Sequence, residues 1–147
     1  MKSLLPNCRF LTLSSEEQGR DWASRSREID DQLDHLGMDL AEESVYLLFD
    51  RAPGSVIEGE ANCLVARSVI GPKKGLEGPL KLFDWVQAPV HRKVIQASDW
   101  DLVLEECYQE WENLHRQTQK LAAPFMIVAK RRLVPELTMT LEVLFHE

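Results

Sequence analysis

Four histidines, three cysteines and 24 carboxylates make up most of the chain's reactive inventory, and their spacing limits what they can do. His35, His91, His115 and His146 form no HxxxH, HxH or His/Cys pairing of the kind that holds a metal. No metal site and no cofactor are expected. Cys8, Cys63 and Cys107 lie far apart without CxxC spacing, which predicts reduced thiols in a cytoplasmic protein. Glu105, Glu106, Glu110 and Glu112 crowd one segment but fall off its apolar stripe, as solvated carboxylates do. Lys130, Arg131 and Arg132 read as the solvated end of a hairpin. GxxxxGK[ST], GxGxxG, GxSxG and HExxH are absent. No nucleophile has a base beside it, so no catalytic residue is assigned and an enzymatic reading ranks last. Binding chemistry remains, carried by aromatic residues on strand-like and helical stretches.

The elements that must position such a surface are legible. The stretch Pro79–Gln119 reads as a strand or bent hairpin feeding a helix. Ser98 and Asp101 have the form of a capping box. Trp100, Leu104, Cys107, Trp111 and Leu114 then recur at spacings of four, three, four and three, one stripe on a helical period. Upstream, Cys8–Leu13 is a strand candidate, and Ser14 with Glu17 predicts a second capping box. Trp22, Ile29, Leu33 and Leu36 mark the face of a polar helix ending near Gly37. Val45–Asp50 and Ala61–Ile70 are strands, with Ala52–Ser55 read as turn chemistry between them. Pro124–Leu133 and Met139–Glu147 close the chain as two more strands.

The order of elements repeats. Pro6, Arg9, Ser15 and Glu16 meet Pro89, Arg92, Ser98 and Asp99 at a constant shift of 83 positions. In each half a strand enters a helix of about 20 residues and two strands follow. The Gly/Pro/Lys-rich segment Gly71–Pro79 connects the halves, about 1–72 and 73–147. Neither half can close its own core. The expected fold is therefore α+β: one domain over residues 1–147, with duplicated β-α-β-β units in one antiparallel sheet and both long helices on one face.

Composition excludes some functions. Seventeen basic against 24 acidic residues leave a net charge of −7, which disfavours direct nucleic-acid binding and anionic membranes. No apolar run approaches the roughly 20 residues that cross a bilayer. The start, MKSLLPNCRF, lacks the long apolar core of a secretory signal.

Three segments resemble the GyrI-like effector-binding domain, also found as the C-terminal sensor of AraC-type and MerR-type transcription regulators. They are VYLLFDRAPGS (Val45–Ser55), VQAPVHRKVIQASDWDLVLEECYQEW (Val86–Trp111), and the closing pair APFMIVAKRRL and LTMTLEVLF. The resemblance implies a concave sheet face that binds hydrophobic or cationic small molecules, as multidrug-binding relatives do. It implies a carboxylate directly after Phe125, where this chain carries Met126, a soft apolar contact. Tyr46, Phe83 and Trp85 lie on strands bordering that cleft, and Tyr108 lies off the main stripe with its hydroxyl free to reach it. Trp111 matches a family Trp that either floors the pocket or seals the core. By period-two alternation, Leu141, Val143 and Phe145 face the helices and Glu142 faces the cleft as a substitute anion, or simply solvent. The expected ligand-binding set is Tyr46, Trp85, Tyr108, Trp111, Met126 and Glu142. Without a helix-turn-helix segment, the chain is expected to be a stand-alone effector-binding module for a hydrophobic, neutral or cationic small molecule. The alternative is a protein-interaction inhibitor of the gyrase-inhibitor type. It would act on a regulator or gyrase through an acidic surface such as Glu28–Asp34.

Overall fold

The computed structural model describes the backbone of residues 2–5, 7–71, 76, 78–85, 88–96, 99–117, 121–130 and 138–145. Side chains are described for 7–71, 76, 78–85, 93–95, 99–117 and 125–129. The elements in chain order are β1 (Lys2–Leu5), β2 (Cys8–Ser15), α1 (Trp22–Leu36), β3 (Asp39–Phe49), α2 (Pro53–Ile57) and β4 (Cys63–Ile70). They continue with β5 (Lys81–Trp85), β6 (Ala88–Gln96), α3 (Trp100–Arg116), β7 (Leu121–Lys130) and β8 (Thr138–Phe145). All strand pairs are antiparallel, in the order β1-β6-β8-β7-β3-β4-β2-β5. The doubled unit is visible as β2-α1-β3-β4 and β6-α3-β7-β8, joined at the centre by β3 pairing with β7.

This order cannot be flat. β1 and β2 are six strand spacings apart, about 29 Å in a flat sheet. Leu5 and Cys8, at their facing ends, are three residues apart and can span at most about 11 Å. The same conflict holds for β5 and β6. The register resolves it. Leu5 pairs with Ala88 and Cys8 with Trp85, so three steps forward on one chain match three steps back on the other. The β1–β2 and β5–β6 stretches therefore run as one ribbon in a single register, and the sheet curls until its two ends share it. Pro79–Gln119 accordingly holds a bent strand feeding a helix, because β5 and β6 pair with β2 and β1 and not with each other.

Curling gives the sheet two unequal faces. One carries the helices and the larger core: Val45, Leu47 and Phe49 of β3, Val65 of β4 and Phe125 and Ile127 of β7 pack with Ile29 and Leu33 of α1 and Val103, Cys107 and Trp111 of α3. The alternate residues Phe10, Tyr46, Ala66, Met126 and Val128 form a second, separate cluster that contains no helix residue. They are nevertheless no more than 6% exposed, as residues inside a curl must be.

Local chemistry places the helices, with some departures from the sequence reading. The α3 stripe packs inward as its period predicts, but the cap is Asp99, whose Oδ1 accepts from Asp101 N at 2.9 Å. Ser98 lies outside the described residues. The expected Ser14/Glu17 box does not form, because Ser14 is still in β2. Ser15 Oγ instead accepts from Glu17 N (3.2 Å) and Gly19 N (2.8 Å), donates to Asp21, and folds a tight loop ahead of α1. Gly37 ends α1 in the left-handed region (φ 66°), where Met38 N reaches back to Leu33 O at 3.1 Å. Ala52–Ser55 opens a one-turn helix, since Pro53 suits the first helical position as well as it suits a turn.

Gly19 is needed in its loop. Its φ is +87°, and a Cβ there would lie 2.8 Å from Leu47 Cδ2 and 3.0 Å from Trp100 Cζ2. Backbone strain and overpacking together should make Gly19→Ala cost about 2–3 kcal/mol, lowering Tm by roughly 5–10 °C in a thermal melt. An unchanged Tm would show that the loop yields freely.

Candidate functional site

An apolar cavity of about 410 Å³ borders the inner face of the curl. Leu48 of β3, Leu64 of β4, Phe83 and Trp85 of β5 and Met126 of β7 line it, together with Phe49 and Phe125 of the helix-side core. The register explains the convergence. Leu48 stands opposite both Leu64 and Met126, and Trp85 stands opposite Cys8, so period-two alternation turns these side chains to one side. Phe10 and Tyr46 close over the neighbouring region with ring centroids 4.8 Å apart. They meet above β4 because the residue opposite Tyr46 is the small Ala66.

The exposed polar chemistry of the cavity lies with Asp50 and Asn62. Trp85 Nε1 is buried and has no hydrogen-bond partner among the described residues. Asp50 and Asn62 stand at the rim, where Asp50 Oδ1 accepts from Asn62 N (2.7 Å) and Oδ2 from Asn62 Nδ2 (3.0 Å). Burial works against the charged form of Asp50, but the Asn62 hydrogen bonds and the Arg51 charge outweigh it and hold the carboxyl below its usual range. An apolar chamber with one fixed carboxylate at its mouth suits a hydrophobic guest. Among the described residues no three metal-ligating side chains gather.

The six residues expected from the sequence do not all meet. Trp85 and Met126 line the cavity, and Tyr46 lies on the same face. Trp111 lies across the sheet in the helix-side core, 6% exposed, with its ring 6.3 Å from Phe125, which itself stacks on Phe49 at 4.7 Å. That packing accords with the core-sealing role, one of the two expected of it. Tyr108 also lies on the helix side, where a Cβ at Gly54 of α2 would sit 3.4 Å from its ring. Both residues project from a helix whose apolar stripe must face the sheet, which removes them from the inner face. Glu142 pairs in register with Met126 and with Arg92, and Leu141 and Val143 stand opposite Ile127 and Phe125. The Glu142 side chain lies outside the described residues. Leu48, Leu64 and the Asp50–Asn62 pair were missed. The signal for the two leucines was present, since both hold alternate positions in their strands.

No protein-family profile matches the chain, and no curated protein matches it. Solved structures do. The chain is similar over its whole length to the EcmrR–DNA complex determined by cryo-electron microscopy, with TM-score 0.77 and 7% identity. It spans 57% of that chain's length. Against the crystal structure of the EcmrR C-terminal domain the TM-score is 0.74 at 8% identity, covering 100% of this chain and 96% of that one. SAV2435 bound to tetraphenylphosphonium matches with TM-score 0.61 and 9% identity over 99% of this chain and 93% of that one. At such identities the likeness is one of fold. At that level it bears out the resemblance to GyrI-like effector-binding domains read from the sequence. Among the described residues, no helix is long and apolar enough to cross a membrane.

The cysteines offer a check on both faces. Burial pushes the Cys107 thiol up to about 12, with the Glu106 charge adding to it, and burial likewise raises Cys63. Cys8 is half-buried at the edge of the inner cluster. A native thiol titration at pH 8 should therefore find one reactive group, lost in Cys8→Ser, and all three after denaturation. Rapid reaction of Cys107 in the native protein would contradict the packing of α3.

Proposed function

We propose that this chain is an effector-binding module that holds a hydrophobic small molecule, neutral or cationic, against the inner face of its curled sheet. The carrying observation is the apolar cavity of about 410 Å³ between Leu48, Leu64, Phe83, Trp85 and Met126. Its volume falls within the range of small-molecule sites, and its few polar groups, Asp50 and Asn62, are fixed by their mutual hydrogen bonds, as such sites require. Two features of the solved relatives support the reading. One relative is the C-terminal domain of EcmrR, and another was solved with tetraphenylphosphonium bound. On this reading Trp85 and Met126 contact the guest and Tyr46 braces the wall beside it. Asp50 supplies the negative charge that the family places directly after Phe125. Glu142 would add a second, given its register opposite Met126. The module's role is regulatory, to report or sequester the compound.

One observation favours a second reading, docking onto a basic protein surface of the kind that gyrase-inhibiting relatives address. Glu28, Asp31 and Asp34 are all exposed on α1, three residues apart along one outer face.

The first reading is tested by thermal melts with tetraphenylphosphonium and with neutral triphenylmethanol. A ligand at about 100 times its Kd should add roughly 2.7 kcal/mol of stability. Leu64→Trp fills the cavity and should abolish the shift, whereas Trp111→Phe should leave the ligand-induced shift unchanged. A shift that survives Leu64→Trp would place the guest elsewhere. No shift with either compound would move the assignment to the protein-docking reading.

A further inference from the structure

The loop before α1, the short α2 and the start of α3 converge on a groove of about 330 Å³. Val56 and Ile57 of α2 and Trp100 and Leu104 of α3 give it an apolar lining. Val56 and Leu104 are buried in the helix-side core, but Ile57 is 48% exposed. A scattered isoleucine on a surface is ordinary. This one stands at the edge of a concave apolar site, where a partner can cover it.

The three walls are tied in place. Ser15 Oγ holds the loop by accepting from Glu17 N and Gly19 N. Arg20 reaches from the loop to Asp101 at 2.5 Å, in the first turn of α3. The Tyr108 ring lies against Gly54 and sets α2 on α3. One end is open: Gly59 also lines the groove, and a Cβ there would meet nothing within 4 Å among the described residues. A partner's backbone can approach on that side. The rim is acidic. Glu17, Asp101 and Glu105 stand against one cation, Arg20, whose charge Asp101 already takes up. Glu58 and Glu60, the chain neighbours of Gly59, are exposed as well. An apolar groove in an acidic ring repels anions and draws cations.

We propose that this groove docks a basic segment of a partner protein, in which one large apolar side chain is flanked by lysines or arginines. The apolar side chain covers Ile57 between α2 and α3, and the flanking cations lie against Glu17 and Glu105. Apolar contact anchors the segment, and charge complementarity sets the sign of the partner. The groove shares no lining residue with the inner-face cavity and includes none of Glu28, Asp31 and Asp34 of α1. It therefore goes beyond both functional readings above.

The test follows the Ile57 δ1-methyl resonance of the full chain by ¹H–¹³C NMR, assigned by its loss in Ile57→Val. The probe is the peptide KKFKK, in about 0.15 M salt so that distant charges are screened. KKSKK, without the apolar anchor, and EEFEE, without the positive charge, are its controls. KKFKK should move the Ile57 signal saturably and bind about tenfold more tightly than either control. Glu105→Lys should weaken KKFKK about fivefold while leaving Tm unchanged. The proposal is overturned if KKFKK fails to saturate the Ile57 signal, or if either control binds as tightly. Equal weakening by Asp31→Lys would put the peptide on α1 and overturn it too. If tetraphenylphosphonium moves the Ile57 signal and KKFKK does not, the groove is a small-molecule site instead. The melts of the inner-face cavity variants do not involve this groove, so the two readings stand or fall separately.

Discussion

One shared register bends this molecule. The pairing of β1 with β6 and of β2 with β5 follows a single alignment, so two segments near each end of the strand order are also neighbours along the chain. A flat sheet would have to stretch three residues across about 29 Å, and a chain cannot do that. The sheet therefore curls, and the curl creates an inside. Residues at every second position are then buried without any helix to cover them, which is the state of Phe10, Tyr46, Met126 and Val128. Curvature also spreads the strand ends, and Leu48, Leu64, Phe83 and Trp85 line the space left there.

Strand β4 shows how the two faces divide the work. Ala66 points inward and is small enough for Phe10 and Tyr46 to meet across it. Its neighbour Arg67 points to the helix side, 5% exposed, and donates through Nη1 to Glu43 O (2.9 Å) and Ser44 O (3.2 Å) while Nε lies 3.1 Å from Asp30 of α1. Those carbonyls belong to the irregular part of β3, where five steps from Leu40 to Val45 match only two from Val69 to Arg67. The buried guanidinium is offset by its two carbonyl hydrogen bonds and by the charge of Asp30, whose contact with Nε is an ion pair and not a hydrogen bond. It holds the bulge, and the bulge helps turn the sheet.

Much of this was legible in the sequence, for physical reasons that differ by element. The α3 stripe from Trp100 to Leu114 and the strand at Val45–Phe49 follow from local periodicity, and local periodicity survives folding. The duplicated order of elements predicted one antiparallel sheet built from two units, and the structure joins them where β3 meets β7. The pairings that curl the sheet were not legible in local patterns, because they join residues 69 to 89 positions apart and leave no local mark. Trp111 was read from its family match as either a pocket floor or a core seal, and Tyr108 as reaching the cleft from its place off the stripe, but which neighbours a helical residue meets is settled by what the helix packs on, and α3 packs on the side away from Met126. Pro53 could end a strand or begin a helix, and only the neighbouring ring of Tyr108 and the burial of Val56 decide for α2. Asp50 escaped notice because its importance lies in a partner, Asn62, on the next strand's approach.

The central claim, that the inner face of the curl is a ligand chamber, is tested most directly by intermolecular nuclear Overhauser effects from the Met126 ε-methyl group to the aromatic protons of bound tetraphenylphosphonium. The methyl signal is assigned by its loss in Met126→Leu. Strong cross-peaks from Met126, with none from the Trp111 ring, are the predicted result. Cross-peaks from Tyr108 and Trp111 with silence at Met126 would put the ligand among the helices and contradict the account.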